Sequence, residues 1–143
     1  LKDSDPAKYA FKQAVQDGKT ALSIESGKLG FVNQENVTLI KKGVYNMLAS
    51  LNMYGKSTEP LHNVKHFNSQ SYVSANFSGI FYSDYAAGDS VQKGAIVGYT
   101  TDEFGKIIEK HYASIEGIIL YMLATPPINK GDTVMCISTF IEK

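Results

Sequence analysis

One stretch, Ala75 to Ser138, limits what this chain can become, because a short β pattern is written in it twice. The first copy runs Ala75-Asn76-Phe77-Ser78-Gly79-Ile80, then Gly88-Asp89, then Val91-Gln92-Lys93-Gly94-Ala95-Ile96-Val97-Gly98. In the second, Ala113-Ser114-Ile115-Glu116-Gly117-Ile118 answers the opening, and Ile128-Asn129-Lys130-Gly131-Asp132-Thr133-Val134-Met135 answers the close. A unit repeated in this way cannot bury its apolar face alone and must pack on its partner. Each copy holds a glycine before an apolar run and a Lys-Gly turn before the next run. That punctuation of β-branched and aromatic residues predicts an all-β sandwich or small barrel with a quasi-twofold repeat. Between the copies, Thr101-Asp102-Glu103-Phe104-Gly105-Lys106 predicts a hairpin, with Gly105 free to take positive φ.

The order Ala-x-x-x-Gly, Gly-Asp-x-Val-x-Lys-Gly, Asp-x-x-Gly, Ala-x-x-x-Gly resembles the biotinyl/lipoyl-like fold, the barrel-sandwich hybrid. More narrowly, it resembles the C-terminal domain of the succinylglutamate desuccinylase/aspartoacylase family of zinc hydrolases. Such sequences often carry proline after the alanine, where this chain has Asn76 and Ser114.

Ahead of the repeat the periodicity changes. Asp3-Ser4-Asp5-Pro6 predicts a helix start, Ala7, Ala10, Phe11, Ala14 and Val15 give it one apolar face, and Gly18 ends it. Thr20-Ala21-Leu22-Ser23-Ile24 reads as a brief strand, followed by a glycine-bearing loop from Glu25 to Gly30. A second helix is predicted from Asn33, with Glu35 in its first turn and Val37, Ile40, Val44, Met47, Leu48 and Leu51 as its stripe. Gly43 inside that helix predicts a neighbour packed closely against it. Tyr54 to Pro60 reads as helix exit and linker.

A lone strand between two helices leaves both edges unpaired, whereas such strands normally lie in a parallel sheet covered on both faces. Residues 1–55 are therefore expected to be the last element of an α/β domain, 56–71 a linker, and 72–143 the β domain. The alternative is a strand that pairs with the β half or with another copy of the chain. The fold class is α+β: a helix-strand-helix remnant of an α/β zinc-hydrolase domain, then an all-β barrel-sandwich hybrid. The chain begins at Leu1 rather than methionine and is expected to be a fragment with an upstream α/β domain.

Composition narrows the partners. The 14 basic and 14 acidic side chains cancel, which implies no broad attraction to nucleic acid or to an anionic membrane. The longest apolar run, Ile118 to Ala124, falls far short of the ~20 residues a membrane span needs. The chain is expected to be soluble, in the cytoplasm or periplasm. Its single cysteine, Cys136, reads as a small buried hydrophobe in a strand.

Ligands of open α/β sheets bind beyond the carboxyl ends of the strands, which is where Glu25 stands. Ser23-Ile24-Glu25-Ser26-Gly27 is similar to the family motif in which a glutamate at a strand end acts as general base and acid beside zinc. The resemblance implies that Glu25 is the catalytic residue, and that zinc, bound in the parent protein, polarises the carbonyl and acidifies water. The family's zinc ligands, a His-x-x-Glu pair and a later histidine, have no counterpart in these 143 residues, so the chain alone is expected to hold no zinc and to be inactive. His62 and His66 are four apart, as helical metal ligands often are, but Pro60 argues for an extended segment where that spacing does not converge. His111 reads as a strand residue. Lys106 lies where carrier domains of this fold present a modified lysine, yet its neighbours Gly105 and Ile107 do not match the carrier motifs. Tyr72, Tyr82, Tyr85, Tyr99, Tyr112 and Tyr121 fit half-buried strands better than a binding surface.

The resemblance thus implies the C-terminal part of a zinc-dependent deacylase that hydrolyses the amide of a small N-acylated amino acid, with the β domain narrowing the entrance to its site. The competing reading is a non-catalytic biotinyl/lipoyl-like binding or interaction module. Acyl and amino-acid specificity, compartment and assembly into a homo-oligomer are left open by the residues.

Overall fold

Gly18 stops the first helix. In the computed structural model, which describes residues 9–55 and 64–141, helix α1 spans Ala10–Gln16. Beyond it the Gly18 N–H donates to the Val15 carbonyl (3.0 Å) and the Lys19 N–H to the Ala14 carbonyl (2.9 Å), which closes the end of the helix. The expected start at Asp3 to Pro6 lies outside the described residues. Helix α2, Gln34–Ser50, begins at the predicted cap: the Asn33 side chain accepts from the N–H groups of Glu35 and Asn36. Its end is set by Asn52, in the left-handed region at φ 56°, with the Asn52 N–H donating to Ala49 and the Met53 N–H to Leu48.

Between the helices, residues 20–24 form no regular element. The reason is the absence of a ladder. Both sheets of the protein are built from strands after residue 66, so the backbone here has no sheet partner among the described residues, and Leu22 and Ile24 stay exposed. No residue from 9 to 55 is buried. The stripe of α2 is only partly buried, and among the described residues nothing fills the space beside Gly43 where a neighbour was expected.

The chain divides into two units, Leu1–Pro60 and Leu61–Lys143. The described residues of the second form eight strands: β1 Phe67–Ser74, β2 Gly79–Tyr82, β3 Ser90–Val91, β4 Ile96–Thr101, β5 Ile107–Tyr112, β6 Gly117–Met122, β7 Pro127–Ile128 and β8 Thr133–Phe140. Strand β1 begins inside the stretch read from the sequence as linker. Two four-stranded sheets form, in the orders β1-β8-β6-β3 and β5-β4-β2-β7, and every pairing is antiparallel.

Exchanging β1 with β5, β2 with β6, β3 with β7 and β4 with β8 turns one sheet order into the other. The registers follow the same exchange. Ile80 and Phe81 face Thr101 and Thr100, as Ile118 and Ile119 face Ser138 and Ile137; Gly79 faces Ile128, as Gly117 faces Val91. The turns match too: the Gly94 N–H donates to the Ala113 carbonyl (2.7 Å) and the Gly131 N–H to the Ala75 carbonyl (2.8 Å). The core fills in corresponding pairs, Ala75 with Ala113, Phe81 with Ile119, Val91 with Ile128 and Val97 with Val134.

The hairpin between β4 and β5 is the predicted one. Asp102 organises it, its Oδ1 accepting from the N–H groups of Phe104 (3.0 Å) and Lys106 (2.9 Å) while Gly105 takes φ 84°.

Candidate active site

Glu25 follows the apolar run of residues 20–24, exposed, and directly before a tight loop. Gly27 turns that loop at φ 101°, a conformation side chains resist. The loop returns onto the first turn of α2, where the Ser26 hydroxyl donates to Asn36 Oδ1 at 3.0 Å. Gly27 presses on the same side chain: a Cβ there would lie 3.2 Å from Asn36 Nδ2. Asn36 is in turn positioned by Asn33, whose Oδ1 accepts from Glu35 N–H at 2.8 Å and Asn36 N–H at 3.4 Å. Loop and helix start thus form one hydrogen-bonded piece that carries Glu25 at its edge. Sequence reasoning singled out Glu25 and the Asn33 cap but not the hydrogen bond between Ser26 and Asn36. The available signal was a second asparagine three residues after the cap, one helical turn on and close to the loop that precedes it.

Downstream of this loop the apolar side chains of Phe31 and Val32 are 77% and 89% exposed.

Among the described residues, no group of three or more His, Cys, Asp or Glu side chains converges to hold a metal ion. His62 lies outside the described residues. His66 is exposed in a non-helical segment just before β1, where its carbonyl accepts from the Ile141 N–H at 2.9 Å. His111 is buried in β5: its Nε2 lies 2.7 Å from the Thr100 hydroxyl, and its ring stands edge-on to Phe81. Burial holds its pKa below the ordinary histidine value, while the Glu109 carboxylate, 4.0 Å away, acts in the opposite direction. Glu109 itself is occupied by the turn after β1, accepting from Asn76 N–H (3.0 Å) and Asn76 Nδ2 (2.6 Å).

Lys106 is exposed beyond Gly105, at the hairpin. Cys136 is buried in β8 between Tyr72 and Tyr121, which face it in register from the two neighbouring strands. Burial pushes the Cys136 thiol pKa up, against an opposing hydrogen bond from Tyr121. Tyr82 and Tyr99 stack across β2 and β4 with centroids 5.3 Å apart, a cross-strand pair rather than a lined pocket. A cleft of about 580 Å³ opens beside β3 and β6; Glu116 is its only ionisable lining residue. No helix among the described residues is long and apolar enough to cross a membrane.

No protein-family model matches the sequence, and no curated protein matches it. Solved structures do. Over 96% of its length the chain is similar to a succinylglutamate desuccinylase/aspartoacylase from Rhodobacter sphaeroides, with TM-score 0.83 and 22% identity, covering 45% of that protein. It is similar over 97% of its length to the ectoine utilization protein EutE (DoeB) from Ruegeria pomeroyi, with TM-score 0.85 and 20% identity, covering 45% of that chain. A succinylglutamate desuccinylase from Silicibacter sp. TM1040 gives TM-score 0.85 at 18% identity, with 97% of this chain and 44% of that one covered. At these identities the likeness shows the fold: the chain shares the α+β architecture of part of these proteins and spans less than half of their length.

Proposed function

We propose that these residues are the C-terminal part of a zinc-dependent deacylase of the succinylglutamate desuccinylase/aspartoacylase family, which hydrolyses the amide bond of an N-acylated amino acid. The observation that carries this reading is Glu25 directly after an apolar run that has no sheet partner among the described residues, in a chain nearly all of which matches part of those proteins in fold. In this reading residues 20–24 are the last strand of a sheet supplied by preceding residues, and the second unit is a barrel-sandwich hybrid with a quasi-twofold repeat. The corresponding registers of its two sheets support that description.

The described residues do not fit a zinc site on their own, because no three ligands converge. In this reading the described residues do not supply the zinc ligands. What this chain supplies is a carboxylate. Glu25 has the chemistry to take a proton from attacking water and return one to the departing amine, the paired acid and base work that amide hydrolysis needs.

The test is Glu25→Gln in the full-length protein. Fold and zinc content are expected to be unchanged, because the side chain is not a metal ligand in this reading. Turnover of N-acylated amino acids is expected to fall by ~10²–10⁴-fold. Retention of most of the activity would leave Glu25 a solvated loop residue and the catalytic reading would fall, favouring the binding-module alternative.

A further inference from the structure

The loop that bears Glu25 is fastened to α2 by one side-chain hydrogen bond and one close backbone approach, and both fall on Asn36. The Ser26 hydroxyl, on the residue next to Glu25, donates to Asn36 Oδ1 at 3.0 Å. The Gly27 backbone lies so close that a Cβ would stand 3.2 Å from Asn36 Nδ2, at a φ of 101° that a side chain would strain. The backbone N–H of Asn36 in turn donates to the Asn33 cap at 3.4 Å, which ties the clamp to the start of the helix.

We infer that Ser26 and Asn36 are positioning residues for the Glu25 carboxylate: they form a clamp that fixes the direction in which the strand end delivers it. This rests on the catalytic reading of Glu25. Neither residue is required to touch substrate. Their effect comes through orientation, and displacement of a reacting group by about 1 Å can lower the rate roughly 10²-fold. A merely solvated pair of loop residues has no such effect.

The experiment uses the full-length protein and compares Ser26→Ala, Asn36→Ala, the double variant, Ser26→Thr and Glu25→Gln. Ser26→Ala and Asn36→Ala are each expected to lower kcat roughly 10- to 100-fold with KM little changed, since the substrate contacts remain while the carboxylate is misdirected. The double variant is expected to be no slower than the slower single one, because both substitutions undo the same bond. Ser26→Thr keeps a hydroxyl and is expected to restore most of kcat. Because α2 retains its Asn33 cap in every variant, its helical circular dichroism should not change. The inference is overturned if Glu25→Gln is inactive while Ser26→Ala and Asn36→Ala keep full kcat, or if the two losses multiply. If Glu25→Gln keeps its activity, the catalytic reading has failed rather than the clamp geometry.

Discussion

His111 occupies the position that the exchange of strands assigns to Val73, and its partner Thr100 occupies that of Ile137. An apolar pair in one half of the β unit is therefore a hydrogen-bonded polar pair in the other. Removing one partner strands the other: His111→Val leaves the Thr100 hydroxyl buried without its partner, an expected loss of about 1–3 kcal/mol in urea unfolding. His111→Val combined with Thr100→Ile, which rebuilds the apolar pair of the other half, is expected to recover much of that loss. Burial depresses the histidine pKa in the folded state, so the unfolded chain takes up its proton first as pH falls. Stability is thus full above the ordinary value of 6.5 and declines as pH drops from there through the lower folded value. The urea midpoint is expected to be lower at pH 5.5 than at pH 7.5, with the double variant showing a smaller step. The sequence marked His111 as a strand residue, but no local pattern could show that its partner would be Thr100, eleven residues back across a hairpin. Asn76 is similar: its departure from the proline common after this alanine was legible, whereas its N–H bond to Glu109, which proline could not make, depends on a contact 33 residues away.

At the scale of elements, the two glycines that open the repeated runs have one structural duty. A Cβ on Gly79 would stand 2.3 Å from the Thr101 carbonyl oxygen, and one on Gly117 would stand 2.2 Å from that of Ser138. Gly79→Ala and Gly117→Ala are each expected to destabilise the β unit by about 1–3 kcal/mol or more, and by similar amounts. Equilibrium unfolding measures this, and a large cost at only one of the two would count against equivalent roles. The strands, the hairpin and the Asn33 cap could be read from the sequence because their causes are local: alternation, glycine placement, a short side chain before a helix. The end of α2 was less legible, since Asn52 adopts the left-handed conformation that glycine more often supplies. The strand read at residues 20–24 has no ladder among the described residues. Its apolar, β-branched composition is that of a strand, but a strand exists only where another backbone completes its hydrogen bonds.

The whole molecule divides by how each unit meets the entropy of folding. Fixing a residue's backbone costs roughly 1–2 kcal/mol, and apolar burial is the main term that offsets it. The second unit has that term: its core is drawn from both sheets, and Val134, Met135, Cys136 and Ile137 are fully enclosed. The first unit does not, because none of its described residues is buried. In the 143-residue chain, amide hydrogen exchange is therefore expected to be slow in β4, β6 and β8 and faster by orders of magnitude throughout α1 and α2. Limited proteolysis is expected to cut within residues 9–55 first and to leave a resistant β fragment. Gly43→Ala sharpens the comparison. With nothing near that position, the substitution should favour α2 by up to about 1 kcal/mol in this chain through helix propensity alone. In a longer protein whose sheet or helices pack against α2, the same methyl group should instead be destabilising. Slow exchange in α2 comparable to that in β8, or no difference between the two settings for Gly43→Ala, would show that the first unit is complete without further chain.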